Sequence, residues 1–155
     1  MDARIVLLIG FDACLMGSIE TAAALAPYAD YLIASEETEP WEGWNYAFLG
    51  QLSADQGGEE IGSMIVEDYR TFYTEKYEEY PYLTPILSLT CIDLKQIGCV
   101  EEAMDALFTA ISADIQTEHY AEIVTARHRS VHDRLELRPG GSEKLRRRAF
   151  SALSP

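Results

Sequence analysis

The chain has 155 residues, 48% of them apolar, and a formal net charge of −14. That length supports one domain with a real core. No apolar run reaches the roughly 18 residues a membrane-spanning helix needs, three cysteines cannot all pair and fit no zinc spacing, and so acidic a body repels nucleic acid. Such a body favours cationic partners or calcium instead; most of its acids serve solubility.

Charge is unevenly spread. Residues 1–126 hold four basic residues against 23 acidic ones, whereas residues 127–155 hold eight basic against three acidic. Texture changes at the same place, from clear periodicity to a stretch rich in Arg, Gly, Ser and Pro. Three readings compete for 127–155: a solvated tail, a basic arm for nucleic acid, or a stretch foreign to the fold. Arg146-Arg147-Arg148 lacks interleaved aromatics or a recognisable motif. The expectation is a domain over 1–126 and a basic tail over 127–155 outside it.

In chain order, Met1-Asp2-Ala3 leads straight into a predicted strand over 4–10, with no basic n-region of a signal peptide. The unbroken apolar run suits a strand covered on both faces. A helix is predicted over 17–27, with Gly17 or Ser18 near its start and Glu20 in its first turn. Residues 30–34 read as a second strand, and 35–46 as a loop punctuated by Pro40 and Gly43. A short helix at about 44–53 precedes a longer one at about 58–77, whose Ile61, Met64, Ile65, Tyr69, Phe72 and Tyr73 share one side. A break around Pro81 separates it from a third strand over 85–94. A last helix is predicted over about 97–117, with Ile97, Val100, Met104, Leu107, Phe108, Ile111 and Ile115 at helical spacing. Alternating strands and helices predict an α/β/α sandwich with a mostly parallel sheet.

In an open parallel sheet, sites gather beyond the carboxyl ends of the strands. Cys14 lies just past such an end, with a helix N-terminus behind it that favours the thiolate. Cys14 is therefore a candidate nucleophile; the bland reading is a small cysteine closing a strand. Asp12 lies two residues earlier, so an extended segment points both side chains the same way. A carboxylate beside a thiolate opposes its ionisation. Asp12 thus makes more sense as a charge that holds a cationic substrate, or simply as a turn residue.

The segments FDACLMGSIETA and YADYLIASEETEPWEGWNY, at this separation, resemble the clostripain family of cysteine peptidases over roughly residues 5–125. The resemblance implies a caspase- and gingipain-like α/β/α fold, with Cys14 as nucleophile and Asp12 in a pocket for a basic residue. It implies cleavage after Arg or Lys, a secreted or cell-surface bacterial setting, and the calcium requirement that some relatives show. Ser35 and Glu36 would line the same pocket, with Glu42 as its second acid. Glu37 and Glu39 read as solvated loop acids. Trp41 and Trp44 either wall the cleft or pin the loop.

One departure matters. The family's general base is a histidine that precedes the cysteine, together with an oxyanion-hole glycine; His119, His128 and His132 all follow Cys14. The backbone N–H of Cys14 supplies one oxyanion donor, but the base is absent. The expectation is the nucleophile-bearing C-terminal part of a peptidase domain, truncated upstream and inactive alone. The main alternative is a non-catalytic module that holds basic peptides in an acidic pocket. A redox thiol protein ranks last, because no C-x-x-C is present.

Overall fold

The structure is a computed structural model that describes residues 5–78, 87–115 and 119–135. It divides into two compact units, 1–102 and 103–155. The first holds strand β1 (Val6–Gly10), helix α1 (Ile19–Leu25), strand β2 (Ala29–Ser35), a 3-10 turn (Ala47–Gln51), helix α2 (Gly58–Lys76) and strand β3 (Leu89–Asp93). Helix α3 (Ile97–Asp114) begins there after a 3-10 turn at Leu94–Gln96, and helix α4 (Tyr120–Leu135) lies in the second unit.

The chain is α/β, as the alternation predicts. Among the described residues the sheet has three strands in the order β1-β2-β3. β1 pairs parallel to β2, with Val6 opposite Ala29 and Gly10 opposite Ile33. β3 pairs antiparallel to β2, with Ile33 opposite Cys91 and Ser35 opposite Leu89. The sheet is thus mixed rather than mostly parallel in this region. The hydrophobic pattern of PILSLTCIDL marks a strand but carries no sign of its direction.

β2 is the centre of the core because its successive side chains point to opposite faces. Ile33 joins Trp44, Phe48, Ile65, Tyr69, Tyr73 and Leu89. Leu32 and Ala34 join Ala22, Ala29 and Leu94, with Leu25 and Ile97 against them. α2 therefore covers one face and α1 the other. Ile65, Tyr69 and Tyr73 recur at four-residue steps, so one stripe of α2 meets the sheet. All three are buried.

β1 departs from expectation. Ile5 is 75% exposed, and Val6 and Leu7 stand at 42% and 44%. Apolar content suggests a covered strand, but at the edge of the described sheet β1 has too few neighbours to be covered. α4 also crosses the change of composition at residue 127, since its helical pattern runs on to Leu135. The predicted tail thus starts inside a helix, and residues 136–155 lie outside the described part. So do residues 79–86, which include the predicted break at Pro81.

Candidate active site

β1 delivers the site. The Phe11 N–H donates to the Ile33 carbonyl at 2.9 Å, and the chain then leaves the sheet. Residues 13–15 form a bend and turn, and Leu15 takes a left-handed φ of 61°. Asp12 and Cys14 therefore do not sit on an extended strand as the sequence suggests. A left-handed leucine is uncommon and costs energy, and such residues cluster at functional sites. α1 begins only at Ile19, where the Ser18 hydroxyl accepts the Thr21 N–H at 3.2 Å. α1 spans only seven residues.

The loop after β2 lies along this turn. The Gly17 N–H donates to Ser35 O at 2.7 Å and the Leu15 N–H to Glu37 O at 3.1 Å. The Glu39 N–H donates to the Cys14 sulfur at 3.2 Å. Glu39 precedes Pro40, and a residue before proline is held extended. That geometry carries the run of contacts on to the sulfur. The Cys14 side is exposed.

Asp12 faces the next part of the loop. Both its oxygens accept the Trp44 N–H at 3.2 Å, and Oδ2 also accepts the Tyr46 hydroxyl at 2.8 Å. This carboxylate pushes the Tyr46 hydroxyl above its usual range. Gly43 makes the approach possible: its φ is +66°, and a Cβ there would lie 2.6 Å from Asp12 Oδ1. The buried Tyr73 of α2 donates to the Gly43 carbonyl at 2.8 Å and ties this corner to the core.

The other expected residues fall as follows. Ser35 is buried, its hydroxyl paired with Ser88 at 2.8 Å and with the Glu37 backbone. It braces the loop and presents no group to a ligand. Glu36 is exposed. Glu42 makes an ion pair with Lys76 of α2, which lowers its carboxyl from the ordinary value. Trp44 is packed into the core against Gly10, whereas Trp41 is 97% exposed.

Glu39 overturns the reading of a solvated acid. Both carboxylate oxygens are sealed from solvent and meet no hydrogen-bond donor among the described residues. Burial pushes the carboxyl up to about 7; the Trp44 indole opposes the rise and Asp12 adds to it. The indole N–H is near enough to favour the anion but does not meet hydrogen-bond geometry. The sequence signal for Glu39 is its place before Pro40 in a loop that closes on Cys14. Composition alone cannot tell it from Glu36 or Glu37.

A groove of about 490 Å³ runs beside α2, lined by Glu60, Met64, Glu67 and Asp68 among others, and includes none of Asp12, Cys14 or Glu39. Cys14 lies elsewhere. Among the described residues no three His, Cys, Asp or Glu side chains gather where they could hold a metal ion. The three histidines belong to the second unit, where His119 stands 3.8 Å from Asp114. The first unit therefore carries Cys14 without a histidine.

The model of the clostripain family matches residues 2–139. The chain belongs to the clostripain family of cysteine peptidases. Solved structures similar to it include a clostripain from Bacteroides thetaiotaomicron in complex with the peptide inhibitor BTN-VLTK-AOMK. That match has 29% identity and a TM-score of 0.48, and covers 61% of this chain and 38% of that one. A B. fragilis cysteine protease matches at 25% identity and a TM-score of 0.49, over 61% and 40% of the two chains. A secreted C11 cysteine protease from B. thetaiotaomicron matches at 30% identity and a TM-score of 0.45, over 58% and 23%. The chain thus spans at most 40% of the length of these relatives. No curated protein sequence matches it significantly. No helix among the described residues is long and apolar enough to cross a membrane.

Proposed function

We propose that this clostripain-family chain carries the nucleophile and the specificity acid of a cysteine endopeptidase that cleaves after Arg or Lys. Cys14 is the nucleophile and Asp12 receives the basic side chain. The observation that carries this reading is the shared anchoring of both residues by one loop. The Glu39 N–H meets the Cys14 sulfur, while the Trp44 N–H and Tyr46 hydroxyl hold the Asp12 carboxylate. The inhibitor on one relative has the sequence VLTK, in keeping with a basic residue at the scissile position.

In the proposed reaction the Cys14 sulfur attacks the peptide carbonyl carbon. A C–S bond forms, the C–N bond breaks, and the leaving amine takes a proton. Water then hydrolyses the thioester. Both halves need a group that moves protons. The first unit holds no histidine for this. Like the relative described as secreted, the whole protein would act outside the cell.

The test needs no turnover. A peptidyl acyloxymethyl ketone ending in lysine is compared with its norleucine analogue as an alkylator of Cys14. Lysine should react faster, and Asp12→Asn should lower the lysine-to-norleucine rate ratio by roughly 30-fold or more, the effect of about 2 kcal/mol from an unpaired charge. Equal rates for the two reagents in the parent chain refute the basic-residue reading. Selective capture that never becomes turnover, even with the rest of the domain supplied, favours the peptide-holding module.

A further inference from the structure

We infer that Glu39 is a second carboxylate of the pocket for a basic side chain: it carries a proton while the pocket is empty and gives it up when the cation enters. This rests on the proposed function above and deepens it.

The geometry is that of a carboxylate missing its partner. Both Glu39 oxygens are buried without a donor. Its neighbour Asp12 is already satisfied by Trp44 N–H and Tyr46 O–H. Two ionised carboxylates side by side offer each other only acceptors. A proton on one supplies the missing donor, and so does an ammonium or guanidinium set between them. The groups that face Glu39 are Asp12 and Cys14 from the turn after β1, Trp44 and Tyr46 from its own loop, and Tyr69 and Tyr73 from α2. The buried Tyr69 hydroxyl is pushed up by desolvation first, then by charge on Glu39, Tyr73, Asp12 and Cys14. The α2 cation near this corner, Lys76, is paired with Glu42. No cation on that list neutralises Glu39.

Binding then reads as an exchange. The neutral Glu39 carboxylic acid and a charged lysine side chain become a carboxylate–ammonium pair, and one proton passes to solvent. Because Glu39 titrates near 7, the cost of removing that proton falls as pH rises through neutrality.

The experiment measures the lysine-to-norleucine rate ratio for alkylation of Cys14 in the full chain between about pH 6 and about pH 8. Lysine stays charged over this range, and the ratio cancels the titration of Cys14 itself. In the unsubstituted chain the ratio should rise by up to about tenfold over those two pH units. Glu39→Gln should lower the ratio and flatten its pH profile; Glu39→Asp should keep the slope. The unsubstituted profile needs no variant, so misfolding of a mutant cannot hide the answer. A ratio above one that is flat with pH, or one unchanged in Glu39→Gln, overturns the inference and leaves Asp12 as the only acid. A ratio of one throughout overturns the basic-residue reading, and this inference with it.

Discussion

The three cysteines differ in ways that ordinary labelling can read. Cys14 and Cys99 are exposed, whereas Cys91 is half-buried on β3. Burial, then the charges of Glu59 and Asp93, push the Cys91 thiol up. The Cys14 sulfur also accepts the Glu39 N–H, which holds it in one orientation. Brief iodoacetamide treatment of folded protein, mapped by mass spectrometry, should therefore modify Cys14 well before Cys91. Faster modification of Cys91 would count against Cys14 as nucleophile. At this scale the sequence pointed to Asp12 and Cys14 but misjudged Glu39. Four acids within seven residues look alike in composition, and only burial separates them.

α2 and the sheet meet over a glycine. A Cβ at Gly62 would collide with the Cys91 sulfur and lie 2.9 Å from Ile33 Cδ1. Ile33 is fully buried and cannot yield. Overpacking of this kind costs about 1–3 kcal/mol, offset by up to about 1 kcal/mol from alanine's helix propensity. Gly62→Ala should therefore lower stability in urea unfolding, and Cys91→Ala should recover part of the loss by removing the sulfur. Stabilisation by Gly62→Ala alone would refute this close contact. The helix itself was plain from Ile61, Ile65, Tyr69 and Tyr73. What it packs against was not, because helical spacing names a buried side and not its partner.

For the whole molecule, Glu39 links folding to pH. Its carboxyl is raised from 4.5 to about 7 in the folded chain. Between those values the folded state keeps a proton that the unfolded state has lost. Stability therefore falls as pH rises through that window and levels off above about 7. Glu39→Gln cannot lose a proton, so its thermal midpoint should gain on the unsubstituted chain from about pH 5 to about pH 8. A difference that stays constant across that range would mean Glu39 is solvated after all.

β1 gives the molecule a second property. Ile5, Val6 and Leu7 are exposed at the edge of the described sheet, and such edges invite pairing with other strands. Val100, Leu107 and Phe108 of α3 add exposed apolar surface. The chain alone is expected to self-associate in size-exclusion chromatography, and Val6→Lys to shift it towards monomer. It should also show no turnover of an arginine-ended fluorogenic peptide, because the family resemblance places the base before the cysteine and the three histidines all follow Cys14. Turnover by this chain that is lost in His119→Ala would show that a downstream histidine serves as base.

The sequence by itself determined the alternation of strands and helices, the α/β class and the family, and it named Asp12 and Cys14 as candidates. These are local in sequence: a period of two or of 3.6, a cap, a short run of residues. Only the tertiary structure decided the antiparallel direction of β3, the exposure of β1, the engagement of Ser35 and Glu42 with other groups, and the burial of Glu39. Each of those depends on what another segment, tens of residues away, brings alongside. A hydrophobic strand reads the same in either direction, and an acid becomes a buried acid only when a loop folds it against a helix.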